Sequence, residues 1–419
     1  MGSRSRSRPR LTVLTEYFHP EEASTARLLT DLAAGLSDEF DVDVLTGRPG
    51  YHPSDRRRSV PHESRHEGVD VRRVRSTRFD KDRLPLRVVN WITFLLAVTV
   101  RLLLGSREAV LVVSSPPVLP FAAWIEKRVR GTPYVYLVHD RYPAFPVALG
   151  LVEADGVVAR VWRRGTRTLY RDADRVVVLG ETMRERVLEE MAGDPRFDPG
   201  SVVVVHNWAD PAFVRPKPKA ESEVAREQGT VDPFTLVYSG NVGRFHELET
   251  AVDAVARLER EGRSVRFLVV GAGARKAELE RYVRREGVES VEFLPFQPAE
   301  RVPETLTAGD ATLVGVRPEV AGACVSSKLY PSLAAGRPVL ATVGADDDVR
   351  RVVESCDCGA WVEPGDDERA AAVLRSWMDD PDLASRLGSN ARRCLEERFT
   401  RERAVAAYRD LLRAVIDGR

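Results

Sequence analysis

Along most of this chain, short apolar runs alternate with longer stretches in which apolar residues recur every three or four positions. In the first half the apolar runs fall at residues 11–14, 42–45, 69–74, 110–113, 134–138, 175–179 and 202–205. They are short and rich in valine, which reads as strands rather than helices. The stretches between them, such as 26–36 and 118–129, carry the period of an amphipathic helix. This alternation predicts α/β architecture: a doubly wound, Rossmann-like domain with a parallel sheet covered by helices on both faces. The pattern breaks at residues 211–218, Pro-Ala-Phe-Val-Arg-Pro-Lys-Pro, and in the polar run 219–229. It restarts with apolar runs at 235–238, 266–270, 291–294, 311–314, 338–341 and 359–362, and is purely helical after Asp366. A proline-rich polar joint between two such series predicts two domains. The expected division is a first domain over 1–212, a linker over 213–232, a second Rossmann-like domain over 233–398, and a helix over 399–419 able to pack back on the first domain.

Composition narrows the picture. With 419 residues, 43% of them hydrophobic, the chain can fill two cores. Equal numbers of basic and acidic side chains, 63 of each, leave no net charge and speak against a nucleic-acid binder. Cys324, Cys356, Cys358 and Cys394 match neither a redox nor a zinc spacing, so buried free thiols in a reducing compartment are expected. No signal-like apolar run follows the basic residues 1–10, which points to a cytoplasmic protein. Residues 88–104 are apolar but interrupted by Asn90, Thr93, Thr99 and Arg101. One reading is a buried helix of the first domain. The other is an amphipathic helix on a membrane surface, with Arg83, Arg87, Arg101 and Arg107 near anionic head groups.

In doubly wound domains ligands meet the loops that follow strand ends, so candidate chemistry is sought there. After the run 235–238 comes Ser239-Gly240-Asn241-Val242-Gly243-Arg244-Phe245-His246-Glu247. Gly240 and Gly243 permit close approach of a phosphate, and Arg244 or His246 can add charge. Gly271-Ala272-Gly273 reads as mainly structural. Residues 325–335 read as a helix entered through Ser326 and Ser327, with Lys328 in its first turn. A lysine at a helix start opposes the helix dipole unless an anion such as a diphosphate lies beside it. In the first half, His139-Asp140 directly follows the run 134–138 and suits contact with a sugar hydroxyl. The loop 16–25 carries Tyr17, Phe18, His19, Glu21 and Glu22, a mixture fitting a saccharide acceptor. Asp346-Asp347-Asp348 reads as helix capping, so no metal site is expected.

Taken together these residues resemble a known family, the retaining family-4 glycosyltransferases of GT-B fold. The nearest subgroup builds surface polysaccharides and includes N-acetylfucosaminyl transferases. The resemblance rests on Tyr17-Phe18-His19-Pro20-Glu21-Glu22 with Ala26-Arg27, Leu45-Thr46-Gly47 with Pro49 and Tyr51, and Ser114-Ser115-Pro116-Pro117. It continues through His139-Asp140, Asn207-Trp208-Ala209-Asp210, Tyr238-Ser239-Gly240-Asn241, Ser327-Lys328-Leu329-Tyr330, Ala334-Ala335-Gly336-Arg337-Pro338 and Glu363-Pro364-Gly365-Asp366. It implies transfer of a sugar from a nucleotide diphosphate, with retention, to a lipid-linked saccharide, without metal or cofactor. The donor would lie on the second domain and the acceptor on the first. Lys328, Arg244 and the Ser327 amide would stabilise the leaving diphosphate, with Leu329 beside them in the same motif. His139 would touch the donor sugar, and the loop carrying Pro295 and Phe296 would hold the base. Many relatives have two glutamates seven residues apart where this chain has Ala323 and Pro331, and an Arg and a Lys where it has Asn241 and His246. Two further readings stay open: a non-hydrolysing nucleotide-sugar 2-epimerase, and a non-catalytic transferase subunit.

Overall fold

The computed structural model describes residues 8–21, 23–50, 60–80 and 83–418. It divides into two compact units, Met1–His206 with Arg401–Arg419, and Asn207–Thr400. The first unit runs β1 (Arg10–Leu14), α1 (Ser24–Leu36), β2 (Asp41–Thr46), β3 (Glu63–His66), β4 (Val69–Arg73), α2 (Leu84–Leu104), β5 (Ala109–Val113), α3 (Pro120–Arg130), β6 (Tyr134–Val138), α4 (Ala144–Ala148), α5 (Val157–Asp172), β7 (Arg175–Val178), α6 (Glu181–Met191) and β8 (Val202–Val204). The strands form one sheet in the order β3-β4-β2-β1-β5-β6-β7-β8, parallel throughout except for the antiparallel pair β3–β4. The central strands β5 and β6 are buried at every residue, as strands covered on both faces must be.

All seven apolar runs of this half are strands. The eighth strand, β3, reads Glu-Ser-Arg-His and offers no apolar signal. It exists because Glu67 and Gly68 both adopt positive φ, which closes a tight hairpin onto β4. The chain leaves β1 first toward β2 and later returns to β5 on its other side. The loops after β1 and β5 therefore flank the point where the winding reverses, the usual place for a ligand crevice.

The C-terminal helix Arg401–Asp417 belongs to this unit and lies on α1. Tyr408 and Leu412 are buried, Arg401 donates to the Asp31 carbonyl at 3.0 Å, and Arg409 and Arg413 pair with Glu39. A Cβ on Gly35 would stand 2.6 Å from a Val405 methyl, so glycine is what lets the two helices meet there.

Helix α2 carries one buried stripe, Asn90, Phe94, Val98 and Leu102, at four-residue spacing. Asn90 Oδ1 accepts from Thr77 Oγ1 and the Phe79 amide, which explains a polar residue in that stripe. The opposite side is apolar and exposed, including Ile92, Leu96, Val100 and Leu104. The buried-helix reading thus holds for a single stripe only. Arg107 does not face a membrane. It is buried in an ion pair with Glu126 at 2.8 Å, because the pair joins the segment after α2 to α3.

The second unit runs α7 (Glu223–Glu227), β9 (Phe234–Ser239), α8 (Glu249–Arg260), β10 (Val265–Val270), α9 (Lys276–Glu286), β11 (Val291–Leu294), α10 (Val302–Thr307), β12 (Ala311–Gly315), α11 (Leu329–Ala334), β13 (Val339–Thr342), α12 (Asp348–Ser355), β14 (Gly359–Val362), α13 (Asp367–Asp379) and α14 (Pro381–Arg398). Its six strands are parallel, in the order β11-β10-β9-β12-β13-β14, with the reversal between β9 and β12. Residues 213–232, read as a linker, are built into this unit. Val214, Val224 and Ala225 are buried, and Arg392 donates to the carbonyls of Pro211 and Val214. Lys219 meets Asp310 at 2.6 Å, and Ser222 Oγ donates to the Glu304 carbonyl at 2.8 Å. The composition of a joint conceals these contacts, because they are made by backbone and by charged side-chain tips.

The cysteine expectation is corrected in part. Cys356 and Cys394 are joined as a disulfide, whereas Cys324 and Cys358 are buried free thiols. Spacing along the chain could not reveal the pair, since α14 brings Cys394 back beside the end of α12 across 38 residues.

Candidate active site

At the reversal point of the second unit, the loop after β9 faces the long segment between β12 and α11. The β9 loop is stacked tightly on the loop after β10. A Cβ on Gly271 would fall 1.9 Å from the Gly240 carbonyl, and one on Gly273 would fall 2.3 Å from the Val242 carbonyl. Val242 N donates to Ala272 O at 2.8 Å, and Lys276 Nζ donates to Gly271 O and Leu294 O, both at 2.9 Å. Gly271 and Gly273 are therefore structural, as their sequence suggested.

Lys328 lies across this loop. A Cβ on Gly240 would stand 2.8 Å from Lys328 Cε, so a larger residue there would displace the lysine. Lys328 Nζ sits 2.8 Å from His246 Nε2 and 5.5 Å from the centre of the Tyr238 ring. Among the described residues it forms no ion pair with a carboxylate. Burial of the amine lowers its pKa to about 7, with a small opposing effect from Cys324.

His246 was expected to touch the donor, but it is 2% exposed and both ring nitrogens are engaged. Nδ1 accepts the Gly243 amide at 2.9 Å. Burial first, then positive charge on Lys328 whenever it is protonated and on Arg275, hold its pKa well below the usual value. It acts on Lys328 and the loop rather than directly on a ligand. Arg275, which the sequence did not single out, donates to the His246 carbonyl at 2.8 Å and pairs with Glu249 and Glu278. Glu247 is also buried, with Oε1 accepting the Thr250 amide and hydroxyl, both at 2.8 Å.

Arg244 and Asn241 are exposed, and Arg244 has no hydrogen bond or ion pair among the described residues. Pro295 and Phe296 are exposed beyond the end of β11. Ser327 is partly exposed in the turn before α11. Leu329 is buried at 1% and packs in the core, because the first turn of α11 aims it inward. That helix is shorter than the sequence suggested. It begins at Leu329, with Lys328 as its cap residue and no cap hydrogen bond from the Lys328 side chain. A bridge between Ala321 and Cys324 closes a tight turn just before this segment. Asp347, by contrast, caps α12 as expected, its carboxylate accepting the Val349 amide at 2.8 Å.

In the first unit His139 and Asp140 leave the end of β6, and both amides donate to Ser114 Oγ at 3.0 and 3.1 Å. Ser114 ends the neighbouring strand β5, so one hydroxyl fixes the turn. Burial lowers the His139 pKa to about 4 and raises that of Asp140 to about 6. Near neutral pH the pair is thus a neutral imidazole, able to donate and accept, beside a carboxylate.

The loop after β1 is more structural than its composition suggested. Phe18 is buried at 2% and belongs to the core, where the apolar interior outweighs any ligand contact. His19 stacks on His66 of the β3–β4 hairpin at 3.6 Å, and Arg73 donates to its carbonyl at 2.8 Å. Glu21 is buried and accepts the Gly50 amide at 2.7 Å. Tyr17 is partly exposed and its hydroxyl is held well above the usual pKa by burial. Glu22 lies outside the described residues, as does Tyr51.

Comparison with known proteins agrees with this layout. Residues 25–208 match the glycosyl transferase 4-like domain, and residues 221–394 match glycosyl transferases group 1. The chain is 27% identical to a probable glycosyltransferase, WbjE, of Pseudomonas aeruginosa, over 96% of this chain and 98% of that protein. It is 26% identical to the putative colanic acid biosynthesis glycosyl transferase WcaI of Escherichia coli K12, over 59% of this chain and 60% of that one. Among solved structures it superposes on sucrose-phosphate synthase of Thermosynechococcus elongatus with a TM-score of 0.78 at 17% identity, covering 98% and 100% of the two chains. Anabaena Alr3699/HepE in complex with UDP and glucose gives 0.72 at 17% identity, covering 97% and 100%. Two parallel-sheet units, each matched by its own glycosyltransferase model, make this chain a glycosyltransferase of GT-B fold, with a 4-like first half and a group 1 second half.

Proposed function

We propose that the protein transfers a sugar from a nucleotide diphosphate donor, with retention at the anomeric carbon, to a lipid-linked saccharide in surface-glycan assembly. The observation that carries this reading is Lys328 laid over the Gly240 loop at the sheet reversal of the second unit. A cationic group beside a glycine loop suits a diphosphate, and stabilising that leaving group is the main catalytic task in such a transfer. Lys328 and the exposed Arg244 supply the charge, with the Ser327 amide beside them, and no metal or cofactor is assigned. Gly240, Asn241 and Gly243 line the phosphates, and Pro295 and Phe296 the base. His139, neutral above about pH 4, is assigned to a hydroxyl of the transferred sugar. Asp140, Tyr17 and His19 are assigned to the acceptor.

The surface-glycan role draws on the relative whose name states colanic acid biosynthesis. The lipid part draws on the first unit's surface. Helix α2 is long and apolar enough to cross a membrane by length and composition. Its buried stripe ties it to the protein, so we assign it to lying on the membrane surface with its outer face in the lipid. Helix α5 adds exposed Val157, Val158 and Val161 next to exposed Arg160 and Arg164, and both helices pack against α3. Apolar and cationic side chains side by side fit anionic lipid on the cytoplasmic face.

The test is a thermal-shift panel of UDP, GDP, ADP and TDP sugars. One base is expected to raise Tm by several degrees at millimolar concentration, by mass action. Lys328→Ala is expected to weaken that nucleotide at least tenfold, about 1.4 kcal/mol. If no nucleotide sugar stabilises the protein, the reading fails.

A further inference from the structure

The hydrogen bonds around His246 constrain which protons the site can carry. A neutral imidazole carries one N–H. Its Nδ1 accepts the Gly243 amide at 2.9 Å, so the proton must be on Nε2. Nε2–H then points at Lys328 Nζ, 2.8 Å away. An ammonium has three donors and no lone pair, and would set N–H against N–H. An imidazolium fails as well, since it could not accept from Gly243. The remaining arrangement is a neutral imidazole donating to a neutral amine. We propose that His246 holds Lys328 as a free base in the ligand-free protein, and that Lys328 takes a proton from solvent when a diphosphate enters. His246 is thus a positioning residue that sets when the site becomes cationic.

Tyr238 of β9 turns its ring face to the amine at 5.5 Å, a contact that weakly favours the ammonium and serves it once protonated, while its hydroxyl is turned away to donate to the Asn241 carbonyl at 2.7 Å. Cys324, on the segment before α11, also acts in the sense that favours the ammonium. From the loop before α9, the Arg275 charge disfavours further positive charge on His246, and Arg275 is itself matched by Glu249 and Glu278. No carboxylate among the described residues meets Lys328 to hold it charged. A phosphoryl oxygen supplies what is missing: the amine gains a proton, breaks its bond from Nε2–H and donates to the anion. Desolvation and the Nε2–H contact lower the amine's affinity for the proton until the anion is present, so the site avoids keeping an uncompensated, partly buried charge.

This proposal rests on the donor reading above only in its second half, and the experiment separates the two. Ligand-free protein labelled at lysine 13Cε is titrated by NMR, with Lys328→Arg identifying the resonance among the six lysines. That resonance is expected to titrate near pH 7 and to move up by at least one unit in His246→Gln, whose amide oxygen accepts from an ammonium. A lysine that stays cationic to pH 9, or an unchanged midpoint in His246→Gln of normal Tm, overturns the free-base assignment. Binding of UDP, GDP, ADP and TDP is then measured by calorimetry at pH 8 in phosphate and in Tris. Heats differing by the ionisation enthalpy of about one proton are expected in the wild type, with the difference largely lost in His246→Gln. Equal heats in the two buffers overturn proton uptake, whereas absence of heat with UDP, GDP, ADP and TDP alike counts against the donor reading and leaves the lysine titration standing.

Discussion

At the scale of single residues, burial decides which of the chemically attractive side chains are available. His139 and Asp140 are adjacent and titrate in opposite senses for one reason, desolvation of the charged form. Asp140 in the folded protein, near 6, holds its proton more tightly than in the unfolded chain. Its carboxylate therefore costs stability above about pH 6, and that cost fades as pH falls toward 4. Asp140→Asn is expected to stabilise the protein by about 1–2 kcal/mol at pH 8 and hardly at all at pH 4, as read from urea unfolding at the two pH values. His139 has the reverse sign: it is easier to protonate unfolded, so its contribution is present above about pH 6.5 and is lost between there and about pH 4. Gly240 is the second residue whose role is set by a neighbour. Gly240→Ala adds a Cβ at 2.8 Å from Lys328 Cε at a φ of 132°. It is expected to weaken nucleotide binding at least tenfold in the thermal-shift assay, largely by moving the lysine. An unchanged affinity would separate Lys328 from the diphosphate.

Elements gain their roles from where the sheet puts them. The loops after β9 and β12 carry the second unit's candidate chemistry because those strands are neighbours at the reversal of the winding. Helix α2 shows the same dependence: one stripe is buried in the fold, and the opposite side, with Ile92, Leu96, Val100 and Leu104, is exposed. Leu96→Glu and Val100→Glu lie on that outer face. The double substitution is expected to leave Tm within a degree or so and to cut sedimentation with phosphatidylglycerol vesicles at least fivefold. Equal sedimentation of the variant would remove α2 from the lipid contact.

For the whole molecule, the division into units follows contact rather than chain order. The first unit is discontinuous: it needs Arg401–Asp417 to cover α1, where Tyr408 and Leu412 are buried. Two buried side chains of this size are worth about 1.5–3 kcal/mol each. A chain ending at residue 400 is therefore expected to show a calorimetric transition lowered by several degrees for the first unit, with the second unit's transition unmoved. A single unshifted profile would show that the helix contributes nothing.

The sequence by itself determined the elements. Thirteen apolar runs are thirteen strands: central strands such as β5, β6, β12 and β13, buried on both faces, are apolar almost throughout, and edge strands keep enough apolar positions to leave a mark in one dimension. It also located the strand-end loops holding Lys328, Gly240 and His139. It could not determine which side chains those loops turn inward. Phe18 and Leu329 look like binding residues and are core, and His246 looks like a ligand contact and is buried behind Lys328. Only the tertiary structure brings Lys328 to His246 across 82 residues, joins Cys356 to Cys394, and returns the last helix to α1. Periodicity records whether a residue faces an interior. Which interior, and which partner waits there, depends on strand order and long-range packing that no local pattern encodes.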